Sequence, residues 1–136
     1  MAHQSEAALP KPGPTGYPVN MIRPHLRDIP LVSFPEGFEI RPMRVEEGGL
    51  WTDIVRDAEE YMTISDGLFD REFGSDLQSV EQRCFLIVES GGAGVGTISA
   101  WYNRDARWQD YGLVHWVAVR PAYQGRGSLH RRFVGR

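Results

Sequence analysis

Near the carboxyl end, the run Val117-Ala118-Val119-Arg120-Pro121-Ala122-Tyr123-Gln124-Gly125-Arg126-Gly127 combines residue types and spacing suited to holding an anion. An apolar run enters a turn marked by proline and then meets two glycines flanking an arginine. Glycine keeps Cβ atoms away from the backbone, so several N–H groups can converge on one point. A helix starting near Ser128 would add four N–H groups without internal partners and the positive end of its dipole. A phosphate or pyrophosphate is the natural ligand of such a cradle. The competing reading is a glycine-rich turn with nothing bound. Charge is distributed in the same sense: residues 1–119 carry ten basic and eighteen acidic groups, whereas residues 120–136 carry five arginines and no acid. A cationic end of this kind either meets an anion or is simply solvated.

Other chemistry-bearing groups are less organised. The single cysteine, Cys84, excludes a disulfide framework and a cysteine zinc site within one chain, and its apolar neighbours mark it as a small buried residue. Residues 46–81 hold eleven acids and two arginines, scattered around helical segments as a solvated surface rather than gathered for a metal. Gly91-Gly92-Ala93-Gly94 looks like a phosphate loop, but a strand follows it where a phosphate site needs a helix start, so it reads as a hairpin turn. His25, Asp28 and Ser33 lack the strand-to-helix context of a nucleophile elbow.

The elements that must position the anion cradle follow from periodicity. Seven of nine prolines fall within residues 1–35, which predicts a disordered leader over 1–20. Leu26, Ile29, Leu31, Val32 and Phe34 then suit an extended segment lying across a folded surface. Phe38–Met43 alternates as a strand with one wet face, ending at Pro42. Leu50, Ile54, Ala58, Tyr61 and Met62 recur at helical spacing. A second helical piece carries Leu68, Phe69 and Phe73, breaks at Gly74, and restarts at Ser75 with Gln78 completing a capping box. Strands follow over Cys84–Val88, Val95–Tyr102 and Leu113–Val119, with Asn103–Asp110 connecting the last two.

With these elements in order, the chain resembles the GNAT superfamily of acyl-coenzyme A-dependent N-acyltransferases. The signature is Gln124-Gly125-Arg126-Gly127-Ser128-Leu129, led in by Val117-Ala118-Val119-Arg120-Pro121. Phe38–Met43 is similar to the family's first strand and Gly94–Ile98 to its third, so the likeness spans roughly residues 37–128. The resemblance implies an α/β (α+β) fold with a mixed, mainly antiparallel sheet flanked by helices, over residues 21–136. It implies acetyl-coenzyme A as acyl donor and an amine as acceptor, joined by direct attack without a covalent enzyme intermediate or a metal. Backbone groups of Val117, Ala118 and Val119 would meet the pantetheine arm. Gln124, Gly125, Arg126, Gly127 and Ser128 would hold the pyrophosphate. His115 occupies a place where some members carry a basic glutamate, which makes it the candidate base, with a satisfied pocket-wall histidine as the alternative. Trp101, Tyr102, Asn103, Asp105 and Asp110 would shape the acceptor pocket.

Two departures from the family lie at the carboxyl end. Leu129 replaces a small residue, and the nine residues from Ser128 lose the expected apolar helix pattern. The expectation is a chain truncated after the pyrophosphate loop, and the rival reading is a catalytically inactive coenzyme-binding remnant or a half-domain needing a second chain. With 136 residues and 41% hydrophobic content, one domain is the limit. No run approaches the ~18 apolar residues of a membrane span and no signal peptide is legible, so a cytoplasmic protein without membrane contact is expected. A net charge of −3 and the lack of a recognisable nucleic-acid module argue against a nucleic-acid partner. A homodimer stays open.

Overall fold

The computed structural model describes residues 19–125. The expected leader, apart from its last two residues, and the cofactor-binding expectations for Arg126, Gly127 and Ser128 lie outside them. Four strands form one sheet: β1 (Phe38–Pro42), β2 (Cys84–Glu89), β3 (Gly94–Tyr102) and β4 (Gly112–Val119). They lie in chain order, every pair antiparallel. Three helices fall between β1 and β2: α1 (Gly48–Ala58), α2 (Leu68–Phe73) and α3 (Leu77–Arg83). The architecture is therefore the expected α/β arrangement, with helices laid on an antiparallel sheet.

Helix α1 buries Trp51, Ile54 and Val55, a three- and four-residue repeat that seats it against β3 and β4. It stops at Ala58, short of the expected extension to Met62. Glu59 turns to extended backbone, and its Oε1 accepts hydrogen bonds from the N–H groups of Tyr61 and Met62, leaving Tyr61 exposed. A carboxylate that captures the amides two and three residues on competes with the helical ladder, which explains the early end. The cap of α3 also differs by one residue from the expected Ser75–Gln78 box. Asp76 Oδ1 accepts from Ser79 N at 3.3 Å, while Ser79 Oγ donates to Asp76 Oδ2 at 2.7 Å. An ionised aspartate is the stronger acceptor at a helix start.

The core is aromatic. Trp51 and Phe73 are wholly buried, with ring centroids 5.4 Å apart; Phe69 lies 5.5 Å from Trp51, and Trp101 lies 4.8 Å from Phe73. These rings join α1, α2 and β3. The 21–36 segment forms no helix or strand; Leu26, Ile29 and Leu31, expected to lie across a folded surface, are exposed, and only Val32, Phe34 and Pro35 are half-buried. Pro24, Pro30 and Pro35 remove donors that would otherwise zip the segment onto a sheet edge.

Candidate functional site

The site starts from an irregularity in β4. Residues Ala100 and Ser99 pair with Val114 and His115, and Thr97 pairs with Ala118, so Trp116 and Val117 together face only Ile98. One extra residue makes a bulge, which bends the strand and leaves backbone groups outside the ladder. Trp116 sits there at φ +51°. Left-handed backbone costs a bulky residue about 1–2 kcal/mol and persists where packing over-determines it. Here the Trp116 indole packs edge-on to Trp51 at 5.5 Å. Within the bulge, Val117 is exposed, and the outer edge of β4 has no partner strand among the described residues.

The turn after β4 is fastened at several points. Arg120 N donates to Val95 O at 2.8 Å, and its Nε donates to Gly94 O at 3.0 Å. Its guanidinium also reaches Asp57 of α1 at 3.4 Å. Residues Pro121–Tyr123 form a single 3-10 turn, which Tyr123 pins by donating to Glu89 Oε2 at 2.8 Å. Gln124 Nε2 donates to Val119 O at 2.9 Å, so this carboxamide braces the turn from within. Gly125 then takes φ +78°, a conformation that only glycine adopts readily. Val117, Ala118, Val119, Gln124 and Gly125 thus belong to one strand-and-turn unit.

His115 lies at the foot of the bulge. Its Nε2 is 3.5 Å from Glu72 Oε2 on α2, with the two side chains 32% and 28% exposed. The His115 ring holds the Glu72 carboxyl below the usual carboxylate range, and burial opposes it. Smaller contributions come from the Trp116 indole, which is buried near the carboxylate without completing a hydrogen bond, and from Arg104. Arg104 itself donates to the Glu72 carbonyl at 3.1 Å. Glu72 had no distinguishing mark in the sequence. It is one acid among eleven, and only the placement of α2 beside β4 makes it a partner of His115.

The remaining candidates are held by local structure. Trp101 is a core residue rather than a pocket wall, because alternation along β3 turns it under Phe73. Tyr102 lies beneath the Arg83 guanidinium at 4.3 Å from the ring centroid, and Asp105 caps the 3-10 turn at Ala106–Trp108. Asn103 Oδ1 accepts from Asp105 N. Burial pushes the Cys84 thiol up, so it is a poor nucleophile. Among the described residues no group of three or more His, Cys, Asp or Glu side chains is placed to hold a metal ion, and no helix is long and apolar enough to cross a membrane.

Residues 50–128, more than half of the chain, match the model of the acetyltransferase (GNAT) family. No curated protein matches the sequence. A solved structure of a Pyrococcus horikoshii protein assigned as an acetyltransferase superposes with a TM-score of 0.54 at 19% identity, covering 82% of this chain and 36% of that one. A GCN5-related N-acetyltransferase from Sphaerobacter thermophilus superposes with a TM-score of 0.52 at 17% identity, covering 70% and 29%. The chain therefore spans about a third of the length of these two proteins, with which it shares the fold.

Proposed function

The chain belongs to the acetyltransferase (GNAT) family, and on that premise we propose that it transfers an acetyl group from acetyl-coenzyme A to a primary amine by direct attack, with residues 21–136 as the transferase unit. The observation that carries this reading is the continuity of the bulged, outward-open β4 with the braced turn and the left-handed Gly125. When bound, the thioester supplies an electrophilic acyl carbon. The chain's residues bind, orient and move a proton around it.

An amide-bearing arm would lie along the outer edge of β4, which has no partner strand among the described residues, and would meet those main-chain groups of Val117, Ala118 and Val119 that pair with neither β3 nor Gln124, as an edge strand accepts an added strand. The amides from Gly125 to Ser128 receive the pyrophosphate. Gln124 serves from behind by shaping the loop through Val119 O. His115 takes the proton of the amine as its nitrogen attacks; the N–C bond forms, the C–S bond breaks, and the thiolate leaves. Backbone N–H groups freed by the bulge suit the oxyanion that develops on the acyl oxygen. Positioning both partners supplies much of the rate.

A thermal-shift titration with acetyl-coenzyme A, run beside a thiol-release assay over a panel of primary amines, tests the proposal. The expected result is a saturable rise in Tm and amine-dependent thiol release. Stabilisation without release would reduce the chain to a coenzyme-binding module, and no stabilisation would remove the cradle.

A further inference from the structure

Resting on the reading of His115 as the base, we infer that Glu72 is its positioning residue: the Glu72 carboxylate accepts a hydrogen bond from Nε2–H of His115, which keeps the proton on Nε2 and leaves the lone pair on Nδ1 to accept the proton of the amine.

The argument begins with the chemistry of the two groups. A neutral imidazole carries one proton, and the nitrogen that donates to a fixed acceptor is the one that keeps it. An ionised carboxylate can only accept. Glu72 is held in that form by the His115 ring itself, with Arg104 adding positive charge nearby. Its Oε2 faces Nε2 rather than Nδ1, at 3.5 Å, the outer limit of hydrogen-bond reach. Such contacts are commonly long before substrate binds and shorten as the site assembles.

Both ends of the contact stand on well-packed elements. Leu68, Phe69 and Phe73 bury α2 in the aromatic core, and Glu72 follows Leu68 by one helical turn at the margin of that buried face. On β4, the Trp116 ring lies 5.1 Å from the imidazole on one side and rests on Trp51 on the other. Among the described residues, Arg104 from the connection between β3 and β4 is the charged group that acts on Glu72 besides His115; Ser99, across the ladder on β3, is neutral. Forty-three residues of sequence separate the two partners, so the pairing is a product of the fold and not of a local turn. A base whose tautomer is set in advance avoids the loss of population to the wrong one.

Long-range 1H–15N correlation spectra of protein labelled with 15N-histidine read the tautomer directly and need no activity. The His115 signals are assigned by their disappearance in His115→Asn. The expected result is an Nε2–H tautomer in the native chain and a mixture of tautomers in Glu72→Gln, whose carboxamide both donates and accepts. An Nδ1–H tautomer in the native chain overturns the inference without recourse to any variant, and an unchanged tautomer in Glu72→Gln overturns it too. In the amine assay, His115→Asn should lower kcat about 100-fold or more, and Glu72→Gln about 10-fold with KM for both substrates unchanged. A loss in His115→Asn with full activity in Glu72→Gln would sink the role of Glu72 and spare the base. Full activity of His115→Asn would sink the base, and with it the catalytic use of the contact.

Discussion

Glu47 shows how much a single side chain can be asked to do near the start of α1. Its two oxygens accept from Arg41 Nη1 and Nη2 at 2.8 and 2.6 Å, and Oε1 also accepts from Arg44 N at 2.9 Å. Donation from Arg41 leads in lowering the carboxyl from an ordinary value near 4.5 to about 2. A depressed folded-state pKa means that the unfolded chain binds more protons between those values, so this contribution to stability is complete above pH 4.5 and disappears as pH falls through 2. Glu47→Gln should therefore be less stable than the native chain at neutral pH and flatter between pH 4.5 and 2. Urea unfolding at a series of pH values checks this; parallel curves for the two proteins would contradict it. In the sequence, Glu47 is indistinguishable from Glu46. Which of two adjacent acids meets Arg41 depends on the 3-10 turn at Val45–Glu47.

At the scale of elements, the close approach of β3 and β4 depends on Gly96. A Cβ there would sit 2.9 Å from the Ala118 carbonyl oxygen and 3.0 Å from Ile87 Cδ1. The first of these is backbone and cannot swing aside. Gly96→Ala should push β4 off β3 at the residues proposed to meet the pantetheine arm, costing about 1–3 kcal/mol as other overpacked sites do. Chemical denaturation measures the loss, and a stability equal to the native chain would show that the two strands separate freely. The strands themselves were legible from alternation and β-branched runs, and so was the hairpin at Gly91–Gly94, where Gly92 takes φ +90°. The bulge was not. Nothing in Leu113–Val119 distinguishes a regular strand from one with Trp116 at positive φ, because the strain is met by a ring on another element.

Across the whole molecule, the aromatic cluster links the parts that the proposed chemistry needs. Phe73 lies between Trp51 and Trp101 and directly follows Glu72, while Trp51 supports Trp116 and hence the bulge. Removing Phe73 opens a cavity beneath both α2 and the sheet. Phe73→Ala should cost about 3–5 kcal/mol in urea unfolding followed by circular dichroism. A cost below about 1 kcal/mol would mean that the site does not rest on this core. The expected burial of Leu50, Ile54 and Ala58 identified the correct face of α1, but Trp51 and Val55 carry more of it.

The order of elements, the glycine turn after β4 and the role of Cys84 as a buried thiol were readable from the chain alone, because each depends on local rules: side-chain period, proline and glycine backbone limits, and solvation. The mainly antiparallel sheet came only from the family that the chain resembles. The meeting of Glu72 with His115, the bracing of the turn by Arg120, Tyr123 and Gln124, and the strained Trp116 were decided only by tertiary structure. These depend on distances between residues far apart in sequence, which no local preference encodes and only the packing of α1 and α2 against the sheet brings about.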